Sequence, residues 1–444
     1  MNKSLSAVAA TCVIPPALAP PRTTGRQVIQ RLLCLAAFLI VGFGLADAQT
    51  DQQSGSKLVG TGAVGPAQQG WSVALSADGN TAIVGGIADN KAAGAAWVFT
   101  RSGGGWTQQG TKLVGTGAVR NAGQAVSVAL SADGNTAIVG GPWDNSRAGA
   151  AWVHRRSAGA WTQQGNKLVG TGAASNATQG VSVALSADGN TAVVGGPGDD
   201  SGQGAAWVYV LRGGVWTQQG NKLVGTAAVG NAGQGRSVAL SADGNTAIVG
   251  GPADSAGVGA AWVYTRNGDA WAQLGDKLVG AGTAGNSGQG VAVALSSDGN
   301  TAIIGGAGDN AGAGAAWIFA RSNGVWAQQG SKLVGTGAVG NAGQGGSVSL
   351  SADGSTAIVG GVNDNAGSGA AWVHARSGGV WAQQGGKLAG LGAVGHARQG
   401  SSVALSADGN TALVGGLADN GVTGAAWVHT RHGVDWAPSE YLGY

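Results

Sequence analysis

Short apolar runs alternate with turn-forming residues along most of this chain. Residues 72–76 set Val73 and Leu75 between smaller residues, and Asp78-Gly79 follows as a hairpin signal. Residues 81–85 form a second apolar run containing β-branched Ile83 and Val84. Residues 94–101 carry Ala95, Ala96, Trp97, Val98 and Phe99, and Ser102-Gly103-Gly104 marks the next turn. Residues 106–113, Trp-Thr-Gln-Gln-Gly-Thr-Lys-Leu, make a more polar fourth segment. Three apolar segments followed by a polar one predict a four-stranded antiparallel sheet. Its faces would be buried against neighbouring sheets, and its outer edge would meet water.

The pattern repeats strictly. Ser-Ala-Asp-Gly-Asn-Thr begins at Ser76 and returns at 131, 186, 241, 296, 351 and 406, a spacing of 55 residues each time. Ser297 and Ser355 are the only departures inside it. Seven units fill 52–436. Four short strands per repeat is the signature of a β-propeller blade. An open stack would need polar caps at its ends, and none is visible. Instead Gln53-Ser54-Gly55-Ser56-Lys57-Leu58 matches the second half of the fourth segment, and Trp436 supplies its first position. Pro438 and Glu440 then leave the pattern. The expectation is an all-β, seven-bladed propeller over 49–444, with one blade completed jointly from both ends.

Composition separates the first 48 residues from the rest. Arg22, Arg26 and Arg31 precede an apolar run at 32–45, and Ala46-Asp47-Ala48 fits a small-x-small cleavage site. That order predicts a secretory signal peptide, cut before Gln49. The run has 14 residues, short of the ~20 a membrane helix needs. Without Lys3, those three arginines and Asp47, the 24 basic and 21 acidic residues fall to 20 of each. A neutral mature chain lacks the field of a nucleic-acid binder. It also lacks both cysteines, Cys12 and Cys34, which excludes disulfides and thiolate chemistry. The expected location is the periplasm, the exterior or the cell surface. Glycine is abundant, 87 of 444 residues, yet no Gly-X-Y period suggests collagen.

The stretch 72–86, Ser-Val-Ala-Leu-Ser-Ala-Asp-Gly-Asn-Thr-Ala-Ile-Val-Gly-Gly, resembles the FG-GAP repeat of exported bacterial proteins. The Gly-Gly-Pro triplets ending at Pro142, Pro197 and Pro252, followed by Asp144, Asp199 and Asp254, extend the likeness. The resemblance implies a propeller used for adhesion or ligand binding, with calcium in the blade loops of some members. Gln69-Gly70-Trp71 stands where the family has Phe-Gly, and each hexapeptide offers one Asp where calcium loops need several. Kelch repeats, with Gly-Gly and two aromatic positions, are a near rival.

Candidate chemistry is sparse. Fourteen of the 16 Trp fall in two sevenfold series, from Trp97 and from Trp106. Repetition in every blade points to packing rather than to sugar platforms. His154, His374 and His429 share one repeat position with Phe99, Tyr209, Tyr264 and Phe319, as a planar packing position would. The Asp78 series reads as turn chemistry. The Asp89 series falls short of the 6–8 oxygens calcium prefers, so no cofactor is expected. The Lys57, Lys112 and Lys167 series reads as protection of an outer edge, and the Arg101 series as a solvated rim. No catalytic or metal site emerges and no enzyme is expected.

The leading expectation is a binding or adhesion module for a protein or carbohydrate ligand. A structural surface protein without a discrete ligand is the alternative, and a hydrolase or lyase ranks third. The repeats serve as their own control, since residues that break the repeat are free of the shared structural demand. Trp71, Lys91, Arg120, Trp143, Arg147, His396 and Arg398 break it. They cluster in the second-to-third-strand and blade-to-blade loops of blades seven, one and two, and form the expected ligand site.

Overall fold

The computed structural model describes residues 57–432 and 435–437. The expected leader at 1–48, Gln53 and the departures at Pro438 and Glu440 lie outside the described residues. In the first blade β1 (Gln69–Leu75), β2 (Thr81–Gly86), β3 (Ala95–Ser102) and β4 (Gly105–Gln108) pair antiparallel in chain order. Six more sheets repeat that order. The seventh is built from Gln399–Leu405, Thr411–Gly416, Ala425–His432 and Asp435–Ala437.

Neighbouring sheets are joined in a circle. Gly94 of blade one makes a parallel bridge to Gln124 of blade two, and the equivalent bridge ends with Gly424 on Gln69. A second circuit runs through the turns after the inner strands. The amide of Ala77 donates to the carbonyl of Ala132, then in turn 132 to Ala187, 187 to Ala242, 242 to Ser297, 297 to Ala352, 352 to Ala407 and 407 back to Ala77, each at 2.8–2.9 Å. The fold is a seven-bladed β-propeller.

The outer strand is shorter than the apolar pattern predicts. The strand ends at Gln108, the Gln109 amide adds one last bond to the Val98 carbonyl at 2.8 Å, and Gly110 takes φ +71°. That left-handed residue turns the chain out of the ladder, and it returns only where Leu113 bridges Ala96. In blade seven Leu58 occupies this place. Its amide donates to the Ala426 carbonyl at 2.7 Å and its carbonyl accepts from Ala426 at 3.0 Å, while Asp435–Ala437 pairs with Ala425–His432.

The core lies between blades. One cluster joins Ala184, Val193, Ala206 and Val208 of blade three to Val238, Val249 and Trp262 of blade four. Trp97 and its six equivalents are fully buried, each removing ~150–250 Å² from water, an upper bound of about 4–6 kcal/mol apiece. Glycine makes room for each ring. A Cβ on Gly60 would lie 2.1 Å from Trp97 Cδ1, and one on Gly86 would lie 2.7 Å from Cζ3. The indole N–H then donates to the Thr61 carbonyl at 2.8 Å.

The three repeat-position histidines are planar fillers of the same interior. His154, His374 and His429 are at most 3% exposed, and burial pushes each pKa down from 6.5 to about 4. His374 has no partner for either ring nitrogen, and His154 Nδ1 and His429 Nε2 are likewise unpartnered. The imidazoles sit there neutral, as the phenyl rings of Phe99 and Phe319 do.

Candidate functional site

The two faces of the disc differ chemically. On one face each first turn is locked by its own aspartate. Asp78 Oδ1 accepts from Ser76 Oγ at 2.5 Å and from the Asn80 amide at 2.9 Å. Desolvation tends to raise this carboxyl, but the hydrogen bonds from Ser76 and Asn80 outweigh it and hold the pKa below its ordinary value. The same arrangement recurs in all seven blades, which fits a structural role.

The opposite face is formed by the loops between second and third strands together with the blade-to-blade loops. Asp89 opens a tight turn in which Asn90 and Lys91 are both left-handed, with φ 47° and 56°. Asn tolerates that region better than most residues, which accounts for Asp-Asn in five of the seven units. The Asp89 carboxylate is buried. One oxygen accepts the Val64 amide at 2.7 Å and the other accepts Lys112 Nζ at 2.6 Å. Every blade repeats the pair at 2.5–2.6 Å, down to Lys57 with Asp419.

Two sequence expectations need correcting here. The lysine series does not chiefly shield an edge, because each ammonium reaches back to neutralise a buried carboxylate. The arginine series is not a free rim either. Arg101, Arg156, Arg266, Arg321 and Arg376 lie 5.5–6.0 Å over the rings of Trp106, Trp161, Trp271, Trp326 and Trp381. Cross-strand register explains this, since Arg101 is directly opposite Trp106, and such stacking is favourable. Among the described residues no three His, Cys, Asp or Glu come together as a metal cluster.

At the centre of the loop face the channel opens into a cavity of 400 Å³. Its lining includes Trp71, Arg236, Arg398 and Ser402. The repeat position that precedes Ser72 and its equivalents reads Trp71, Val126, Val181, Arg236, Val291, Gly346 and Ser401 around the disc, and all but Val181 line this mouth. It is the ring that mixes aromatic, charged, aliphatic and hydroxyl side chains. At the far end the channel is lined sevenfold by Leu75 and its equivalents, with Ser or Ala beyond, around a space of 180 Å³.

The seven residues expected to form a site divide into two groups. Trp71 and Arg398 line the mouth together. Arg120, Trp143 and Arg147 lie on the rim over blade two, where the Val119 amide donates to Asp144 and the Asn145 amide donates to Val119. Trp143 covers Gly123, whose added Cβ would meet its Cε3 at 2.5 Å. Lys91 stands beside that rim, since the Gly123 amide donates to the Ala92 carbonyl. His396 is an exposed rim residue between blades six and seven. Arg236, across the ring in blade four, was missed by the sequence reading. The signal was available in the column that contains Trp71, where Arg236 is the only charged residue.

Among the described residues no helix is long and apolar enough to cross a membrane. No protein-family model and no curated protein matches the chain, and what identifies it is its fold, a seven-bladed β-propeller of four-stranded antiparallel sheets.

Proposed function

We propose that this chain is an exported binding or adhesion module of FG-GAP-like type, which engages a protein or glycan at the channel mouth and performs no chemistry. One observation carries the reading. Sevenfold repetition holds at the buried Trp, at the Asp–Lys pairs and at the first turns, and it breaks at the ring containing Trp71, Arg236 and Ser401. Those side chains share a cavity of 400 Å³, within the ~300–1,000 Å³ typical of ligand pockets. The basic-apolar-small order of residues 22–48 supports export, and the repeat at 72–86 supports the family type.

The test is a binding screen of residues 49–444 against glycans and surface components, run with calcium and with chelator, beside a Trp71→Ala variant. A hit that Trp71→Ala weakens at least about tenfold supports the reading. Hits indifferent to Trp71 move the site elsewhere. A folded protein that captures nothing favours a structural surface protein without a discrete ligand. Turnover of a captured polymer would make it an enzyme.

A further inference from the structure

The loop face carries an excess of positive charge, and two of its cations are gathered inside the channel mouth. The seven buried loop aspartates are each matched by a lysine. Beyond those pairs, Asp200 is the one remaining carboxylate of the second-to-third-strand loops, against Lys91 and Arg147 in the same loops. Inside the mouth Arg236 and Arg398 are the only charged residues lining the cavity, and neither guanidinium donates a hydrogen bond or forms an ion pair with any described residue. Both are exposed at the opening, though the surrounding blades desolvate Arg236 enough to lower its pKa. A guanidinium stays protonated in such a place. Two uncompensated cations in one concave, partly desolvated space attract an anion strongly.

The neighbouring hydroxyls narrow the chemistry further. Ser72 Oγ donates to the Ala125 carbonyl, Ser127 Oγ to Gly180 and Ser401 Oγ to Gly70, at 2.8–3.0 Å. Their protons are thus committed to holding adjacent blades, and what they offer a ligand is lone pairs. The mouth therefore presents bidentate donors for an anionic group, acceptors for hydroxyl protons and, in Trp71, an apolar aromatic face. An anionic, polyhydroxylated ring compound meets all three.

We propose that the mouth binds an acidic saccharide, with its carboxylate or sulfate held by Arg236 and Arg398 and a sugar ring against Trp71. This rests on the binding reading above and specifies its ligand class. Calorimetry of residues 49–444 would use a uronate tetrasaccharide, a sulfated oligosaccharide, the neutral tetrasaccharide and inorganic sulfate as probes. At least one acidic oligosaccharide should bind about tenfold or more tighter than the neutral one, and binding should weaken as salt rises. Arg236→Gln and Arg398→Gln should each weaken it about tenfold, with Tm unchanged because neither side chain holds the fold. Arg155→Gln, at an exposed position of the third strand of blade two, should leave it intact.

Equal affinity for neutral and acidic oligosaccharides, or indifference to both channel arginines, overturns the proposal. Inorganic sulfate binding as tightly as the sulfated sugar overturns the saccharide part. If neither acidic sugar binds while some other screened component does so through Trp71, the acidic-sugar inference falls and the binding reading survives. If nothing binds at all, both fall.

Discussion

Three buried histidines make the ring sensitive to mild acid. The perturbation is His154→Phe, His374→Phe and His429→Phe together, copying what blades one and five already hold at Phe99 and Phe319. Burial depresses each imidazole from 6.5 to about 4. The unfolded chain therefore binds more protons than the folded one between those values, and stability rises with pH across that window. It is fully present above pH 6.5 and is lost as pH falls towards 4. At pH 5 the linkage amounts to about 2 kcal/mol per histidine, so about 6 kcal/mol for three. That is a large part of the ~5–15 kcal/mol by which folded domains usually exceed their unfolded state. The turn aspartates do not interfere, because their pKa values are held below 3.8 and their contribution is lost only at lower pH. Urea unfolding at pH 7.5 and pH 5.0 reads the effect. The unsubstituted chain should lose most of that free energy, and the triple variant should lose little. Equal acid losses in both would refute the reasoning, as would imidazole NMR titrations with midpoints near 6.5.

Deleting residues 49–58 removes Lys57 from Asp419 and Leu58 from Ala426, so a melting curve should shift down as one transition; an unchanged curve would show that blade seven stands without them. Lys112→Ala leaves the Asp89 carboxylate buried beside one amide donor and should cost about 3–5 kcal/mol in denaturant titration, whereas Lys91→Ala in the same loop should cost almost nothing. Gly60→Ala drives a methyl into Trp97 and should cost about 1–3 kcal/mol; a neutral result would mean the indole has room to move that its contacts deny.

Periodicity carried most of the architecture into the sequence. A 55-residue repeat with four apolar or turn-bounded segments leaves few alternatives; the second and third strands of blade one fall within one residue of their predicted bounds, while β1 starts three residues before its own. The fourth strand was overestimated because a single glycine, Gly110, leaves the ladder without disturbing the hydrophobic pattern. The Asp–Lys pairs were not legible for a different reason. Asp89 and Lys112 lie 23 positions apart on separate segments, and only the return of the chain after β4 brings them together. Gln69 was invisible in the same way: buried, it accepts from the Gly60 amide at 2.5 Å and donates to the Gly60 carbonyl at 2.9 Å. At the channel mouth the column of residues was readable but its geometry was not, so Trp71 and Arg398 were picked out among rim residues and Arg236 was overlooked.

The amide circuit from Ala77 round to Ala77 has no first and no last bond, so the fold is indifferent to where its covalent thread is cut. In the 55-residue sequence repeat Ala437 and Gln53 align with consecutive positions of the fourth segment, and splicing them directly would write Trp-Ala-Gln-Ser-Gly-Ser-Lys-Leu, a close copy of Trp381 to Leu388. A circular permutant joined there, and opened instead at the exposed Gly103-Gly104 turn, should reform the same disc. Its new cut would fall within blade one, between β3 and β4, and the mouth of the channel would be unaltered.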